Sequence, residues 1–262
     1  MIRTIIWYNK YHTHSLTHLH HVFVIILLTK LIIIKTTTTT TTTTTRKMFT
    51  QIIAQLCQQF PMFQKREFRV LLIGLDRAGK TNVLERMKEI FSEGSIKPIP
   101  EGQIKQTVGL NVAKLEQFDC KWTFWDLGGL ERLRPIWLKY YRDSHGVLFI
   151  VDSVDEQRID EAKAIFKKIV LENEDLRDAP ILIVANKIDE SGPEGMQMVK
   201  TAFESIPCSN RRYELETNSN SYNKRHVVIG ASAFTGQGLK EAVEWMCLEI
   251  SGSERQRELD FV

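Results

Sequence analysis

Between Phe68 and Ile250 the chain alternates two kinds of apolar pattern. "FRVLLIG" (68–74), "GVLFIVD" (Gly146–Asp152), "PILIVAN" (Pro180–Asn186) and "HVVIGA" (His226–Ala231) are short continuous apolar runs. Such runs predict strands buried on both faces. Between them apolar residues recur at helical spacing: Val83, Leu84, Met87, Ile90 and Phe91; then Ile159, Ala162, Ile165, Phe166, Ile169 and Val170; then Leu239, Val243, Met246 and Ile250. Each set is one face of an amphipathic helix. Continuous apolar strands separated by such helices predict an α/β fold, a mainly parallel sheet with helices on both faces. Ser209–Lys224 is polar and aperiodic and reads as a surface insertion. The stretch after Ser251 (252–262) reads as a charged, frayed tail, and no internal repeat is present.

The first 47 residues follow no such pattern. Five histidines crowd into His12–His21, an apolar run covers Val22–Ile34, and ten threonines follow at Thr36–Thr45. The apolar run is shorter than the roughly 20 residues a membrane-spanning helix needs. Residues 1–47 are therefore read as a low-complexity extension, with Met48 as an alternative start. In "MFTQIIAQLCQQF", Phe49, Ile52, Ile53, Leu56 and Phe60 lie on one helical face, and Gln51, Gln55, Gln58 and Gln59 on the other. Residues 48–62 thus predict an amphipathic helix ending at Pro61, either packed on its own domain or lying on a membrane. The folded domain is expected at 66–251.

Composition narrows the class only modestly. Of 262 residues, 43% are hydrophobic and 26% charged, with net charge +3 from 35 basic and 32 acidic residues. That balance gives no ground for a nucleic-acid partner. The four cysteines are scattered and read as free thiols.

Candidate chemistry sits at the strand ends. "GLDRAGKT" (Gly74–Thr81) fits G-x-x-x-x-G-K-[ST] between a strand and a helix, the context that gives this motif its meaning. Gly74 and Gly79 let the backbone wrap phosphates. Asp76, Arg77, Ala78, Gly79, Lys80, Thr81 and Asn82 form the cradle, aided by the helix N-terminus. Lys80 is placed to reach β- and γ-phosphates, and Thr81 to hold Mg²⁺. "NKID" (Asn186–Asp189) follows the strand that ends at Asn186. A carboxylate at Asp189 accepts two hydrogen bonds from guanine; adenine offers no such donor pair and leaves the charge unpaired. Asn186 would brace the phosphate loop and the Lys187 stem would cover the base. "GASAFTG" (Gly230–Gly236) places Ser232 and Ala233 nearby, with the Ala233 N–H directed at the base oxygen. Asp126, ending "WTFWD", is expected to meet Mg²⁺ through water, and Thr107 to join it when a γ-phosphate is present. Gly129 would give its N–H to that phosphate.

These motifs occur in the order "GLDRAGKT", "TVGLN", "FWDLGG", "LRPIWLKYY", "NKID", "ASAFTG". From about Met48 to Ile250 the chain resembles the Arf family of small GTPases, most of all its Golgi-associated Arf-related branch. The resemblance implies a six-stranded P-loop GTPase domain that binds GTP or GDP with Mg²⁺. It also implies two switch regions, an exchange factor, a GTPase-activating protein and effectors. It further implies reversible movement from cytoplasm to Golgi or trans-Golgi membranes, through an N-terminal helix that meets the membrane or a Golgi membrane protein, in vesicle trafficking. The effector face carried over by motif is Leu110, Trp125 and Tyr140.

Several positions depart from that pattern. Neither Met1 nor Met48 is followed by glycine, so neither start permits N-myristoylation. Leu130 stands where the family carries the glutamine that orients the attacking water, beside the catalytic Lys80 and Gly129. Leucine has similar bulk but neither donor nor acceptor. Losing such a group at about 3–4 kcal/mol of barrier would slow hydrolysis about 10²–10³-fold. Two readings follow: a switch with slow intrinsic hydrolysis, or an interaction module that stays loaded with GTP.

Overall fold

The computed structural model describes residues 65–92, 97, 99, 101–176, 178–204, 206 and 227–253. The extension 1–47, the helix expected at 48–62 and the insertion 209–224 lie outside the described residues. Six strands form one sheet: β1 (Arg66–Ile73), β2 (Leu110–Gln117), β3 (Cys120–Leu127), β4 (Gly146–Asp152), β5 (Ile181–Asn186) and β6 (Val228–Gly230). The helices are α1 (Lys80–Phe91), α2 (Leu138–Tyr141), α3 (Ile159–Glu172), α4 (Ile188–Glu204) and α5 (Leu239–Ser251). The strand order is β2-β3-β1-β4-β5-β6. Every neighbouring pair is parallel except the β2–β3 hairpin.

The continuous apolar strands arise because the sheet has two covered faces. Along β1, Phe68, Val70 and Leu72 join one core with Leu84 and Met87 of α1 and Val243 and Ile250 of α5. Leu71 and Ile73 point the other way and join Phe166 and Ile169 of α3 and Val199 and Phe203 of α4. From Val70 to Ile73 alternate side chains therefore enter opposite cores, and no position in that stretch is left for a polar residue. Cys120 and Cys247 are both buried and free, with Sγ atoms 4.0 Å apart.

Two elements differ from the pattern read in the sequence. β2 is an edge strand covered on one face only: Ala113 and Leu115 are buried, whereas Leu110, Val112, Lys114 and Glu116 are exposed. It is joined to β3 by Phe118 and Asp119, both at positive φ (54° and 58°), the conformation of a two-residue hairpin turn. Helix α4 is interrupted at Gly192 (φ 66°, ψ −164°) and resumes at Pro193. Proline suits a first helical position, where no N–H is required. At the other end of the domain, Gly252 and Ser253 close α5 through N–H bonds to Leu248 O (3.3 Å) and Ile250 O (2.9 Å). Of the tail expected from 252, the first two residues are thus part of the helix cap; 254–262 lie outside the described residues.

The sheet's topology fixes where a ligand can sit. β1 has β3 on one side and β4 on the other; the connection after β1 runs to the β2 edge, whereas the one after β3 crosses to β4, so the strand order reverses there. Open α/β sheets bind ligands at that crevice. Behind it, Phe149, Phe166 and Phe203 pack together with centroid separations of 5.0, 5.2 and 6.1 Å, all fully buried. Phe166→Ala in the full chain should lower unfolding free energy by about 3–5 kcal/mol in urea denaturation. A loss under about 1 kcal/mol would show that this cluster does not hold α3 to the sheet.

Candidate functional site

The loop leaving β1 is built around backbone constraints. Gly79 ends it at φ 85°, a left-handed conformation, and a Cβ there would run into Asn186 Nδ2. Arg77 also has positive φ (62°) and its side chain is exposed, as expected of a residue used for its backbone. Lys80 opens α1 and turns inward: Nζ donates to Gly74 O at 3.0 Å and Leu75 O at 2.7 Å, with 6% of the residue exposed. Burial pushes its ammonium down to about 8, against the pull of Asp126 and Asp76.

Asn186, at the end of β5, ties three segments together. Its Nδ2 donates to Ala78 O at 2.9 Å, and its Oδ1 accepts from the Ala233 N–H at 3.1 Å. The Ala233 N–H, read in the sequence as aimed at a base, is thus engaged with Asn186 here. Lys187 has φ 68° and its Nζ lies 2.5 Å from Asp152 Oδ2. Asp189 is exposed in the first turn of α4, and Ser232 is buried, its Oγ accepting from the Thr235 N–H.

Three oxygen-bearing side chains from separate segments converge beside Lys80. Thr81 Oγ1 is 2.7 Å from Thr107 Oγ1 and donates to Asp126 Oδ2 at 2.7 Å. Thr107 Oγ1 donates to the same carboxylate oxygen at 3.3 Å. Asp126 is fully buried, and its Oδ1 has no hydrogen-bond partner among the described residues. Burial pushes the carboxyl up, opposed by Thr81, Lys80, Asn111 and Thr107. A buried carboxylate with Oδ2 on two threonine hydroxyls and Oδ1 outside those bonds suits a hard, oxygen-preferring divalent cation such as Mg²⁺.

The segment after β3 closes the site from the other side. Gly129 is buried so tightly against the phosphate loop that a Cβ would meet Lys80 Nζ and the backbone of Leu75 and Asp76. The Gly128 N–H donates to Gly109 O at 3.0 Å, joining the two segments that flank the β2–β3 hairpin. A cavity of about 320 Å³ opens between them, lined by Asp76, Asn82, Thr107 and Gly129 among others. Leu130 is half-buried beyond Gly129 and lines a neighbouring groove.

One network was not legible in the motifs. Arg158 pairs with Asp76 (2.8 Å) and with Glu161 (3.0 Å). Glu161 pairs in turn with Arg134 (2.7 Å), whose Nε donates to Gly129 O at 3.0 Å. Burial would raise the Asp76 carboxyl, but Arg158 holds it below its ordinary value. The run of mixed charge in "DEQRIDE" was the available signal; it is indistinguishable from a solvated helix start. Of the three residues assigned to an effector face, Trp125 and Tyr140 stack edge-on at 5.3 Å. Leu110 lies further along β2, and Val112, which pairs with Trp125, extends the same open face. Its period-two spacing from Leu110 marks it.

Segments ending at Thr107 and Gly129, remote in sequence, thus meet at the phosphate loop. That is how a P-loop GTPase lets two loops respond to one phosphate. Residues 49–250 match the model of the ADP-ribosylation factor family, and the chain belongs to that family: it is an Arf-type small GTPase, a molecular switch. It is 39% identical to ADP-ribosylation factor-related protein 1 of Rattus norvegicus over 202 residues, 76% of this chain and 94% of that protein. It is 36% identical to ADP-ribosylation factor-like protein 3 of Saccharomyces cerevisiae, over 74% of this chain and 91% of that protein. Among solved structures it is similar to the Arl6 BBS3 small GTPase of Trypanosoma brucei with bound GppNp: TM-score 0.52, 25% identity, 71% of this chain and 98% of that one.

Phosphate placed against Lys80 would restore its ammonium form, since an opposing charge favours the charged state. Above pH about 8, nucleotide binding should therefore take up protons, and affinity should weaken as pH rises. Calorimetry of GDP binding at pH about 8.5, just above that value, in buffers of different ionisation heat measures this. Zero uptake would contradict it.

Proposed function

We propose that this GTPase is a guanine-nucleotide switch with slow intrinsic hydrolysis, which recruits effectors for Golgi-linked vesicle trafficking. The carrying observation is that Gly129 is pressed against the phosphate loop while the next side chain, Leu130, has no hydrogen-bonding atom. Lys80 acts on the β- and γ-phosphates, and Gly74 with the backbone of Asp76–Asn82 cradles them. The Gly129 N–H meets the γ-phosphate. Thr81 and Thr107 would hold Mg²⁺, with Asp126 acting through water; bound there, the ion would neutralise charge developing on the phosphates. Asp189 reads guanine, Lys187 covers it, and Asn186, Ser232 and Ala233 shape the loops around it. With no such group at position 130, unaided turnover is slow and an activating partner is needed to speed it.

The strip of Leu110, Val112, Trp125 and Tyr140 offers effectors an apolar face flanked by both switch segments. The amphipathic segment 48–62 would carry the domain reversibly between cytoplasm and Golgi membranes. Among the described residues no helix is long and apolar enough to cross a membrane. The second reading, an interaction module held permanently in the GTP form, draws on the same leucine.

Chromatography of nucleotide released from the purified, denatured protein separates these readings. Partial GDP content supports slow turnover; GTP alone supports the loaded module. In single-turnover assays Leu130→Gln should raise the rate about 10²–10³-fold, equivalent to about 3–4 kcal/mol of barrier. Equal rates would remove Leu130 as the cause. Asp189→Asn should move preference from guanine towards xanthine nucleotides, and unchanged selectivity would refute that base contact.

A further inference from the structure

The carboxamide missing at Leu130 has a counterpart in the segment that carries Thr107. Gln106 immediately precedes Thr107, whose hydroxyl lies 2.7 Å from Thr81 Oγ1 in the oxygen cluster. It lines the 320 Å³ cavity together with Lys80 and Gly129. It also lines the neighbouring groove together with Leu130. Gln106 is therefore the residue common to the phosphate cavity and to the groove beside Leu130. We propose that Gln106 orients the attacking water in this protein, supplying from the first switch segment the carboxamide that Leu130 removes from the second. The proposal rests on the GTP-switch reading above.

The chemistry favours this residue over its neighbours. Orienting water against a phosphate needs an acceptor for the water O–H and a donor for a phosphate oxygen, and a carboxamide carries both. Arginine has no acceptor, and Arg134 and Arg158 are held by Gly129, Glu161 and Asp76. Asn82 has a carboxamide too, but it lies on α1 and does not line the groove that holds Leu130. Gln106 is exposed, so its side chain can turn into the site without unpacking a core.

In the step assigned to it, the Gln106 carbonyl accepts from water while its amide donates to a γ-phosphate oxygen. The water oxygen bonds to the γ-phosphorus, and the bond from phosphorus to the β–γ bridging oxygen breaks. The bridging oxygen leaves with the electron pair as part of GDP. A water proton passes to a γ-phosphate oxygen, so GTP and water give GDP and dihydrogen phosphate.

Single-turnover GTP hydrolysis at saturating nucleotide, paired with the affinity for fluorescent GDP, tests this in the full chain. Four proteins are needed: wild type, Gln106→Ala, Leu130→Gln and the double variant. The expected result is a tenfold or greater loss of rate in Gln106→Ala with affinity within twofold. In the Leu130→Gln background, Gln106→Ala should cost less than threefold, because the introduced carboxamide then does the same task. A wild-type rate in Gln106→Ala overturns the proposal. So does a parallel loss of rate and affinity in both backgrounds, which would mark a structural role for the loop. Failure of the wild type to bind GDP would instead overturn the switch reading, and the proposal with it.

Discussion

The approach of Gly129 to the phosphate loop is the constraint on which the rest of the site depends. There is no room for a side chain between residue 129 and the backbone of Leu75 and Asp76. Whatever occupies the phosphate end of the cavity must meet the second switch through main-chain atoms. Residue 130 is then the first side chain after that contact. The constraint is also positional: β3 brings Asp126 and Gly129 to the site, and β2 starts from the loop that carries Thr107. The Gly128–Gly109 hydrogen bond and the convergence of Thr107 on Asp126 follow from one hairpin delivering both segments.

Charge is concentrated where the fold can least solvate it. Lys80 and Asp126 are both buried, and burial pushes each towards its neutral form. Buried ionic groups are weak contributors to stability, because desolvation offsets attraction. Stability comes instead from the two apolar cores on either side of the sheet. The site between them is an arrangement that charged phosphate and a divalent cation would complete. The chain Asp76–Arg158–Glu161–Arg134 runs along the rim and ends on Gly129 O, so the phosphate loop, the start of α3 and the second switch segment share one set of ion pairs. Partly exposed pairs of this kind add little stability individually. Their effect is to hold the guanidinium of Arg134 against the Gly129 carbonyl.

What was legible in the sequence followed from burial. β1, β4 and β5 are covered on both faces and announce themselves as continuous apolar runs, and α1, α3 and α5 show one clean face each. β6, at one edge of the sheet, still shows an apolar run although its three residues are only half-buried. β2 alternates because one of its faces is open, and the charges on that face broke the run. α4 was not marked in the sequence: its opening, "IDESGPEG", contains Ser191, Gly192 and Pro193, which interrupt a helical stripe, and the structure breaks at Gly192 before the helix resumes. Motif residues of the phosphate loop could be named because backbone geometry ties glycine, lysine and threonine to fixed spacings. The Arg134–Glu161 pair and the shared groove of Gln106 and Leu130 have no such spacing. They arise only when segments distant in sequence are folded together, and no local pattern encodes them.

The central claim is that the segments around Thr107 and Gly129 sense the γ-phosphate despite Leu130. Hydrogen–deuterium exchange of the full chain, compared with GDP and with a non-hydrolysable GTP analogue, tests it most directly. Slower exchange is expected in residues 104–110 and 128–137 with the GTP analogue, and little change in β4 or β5. Equal exchange in both segments with the two nucleotides would contradict it.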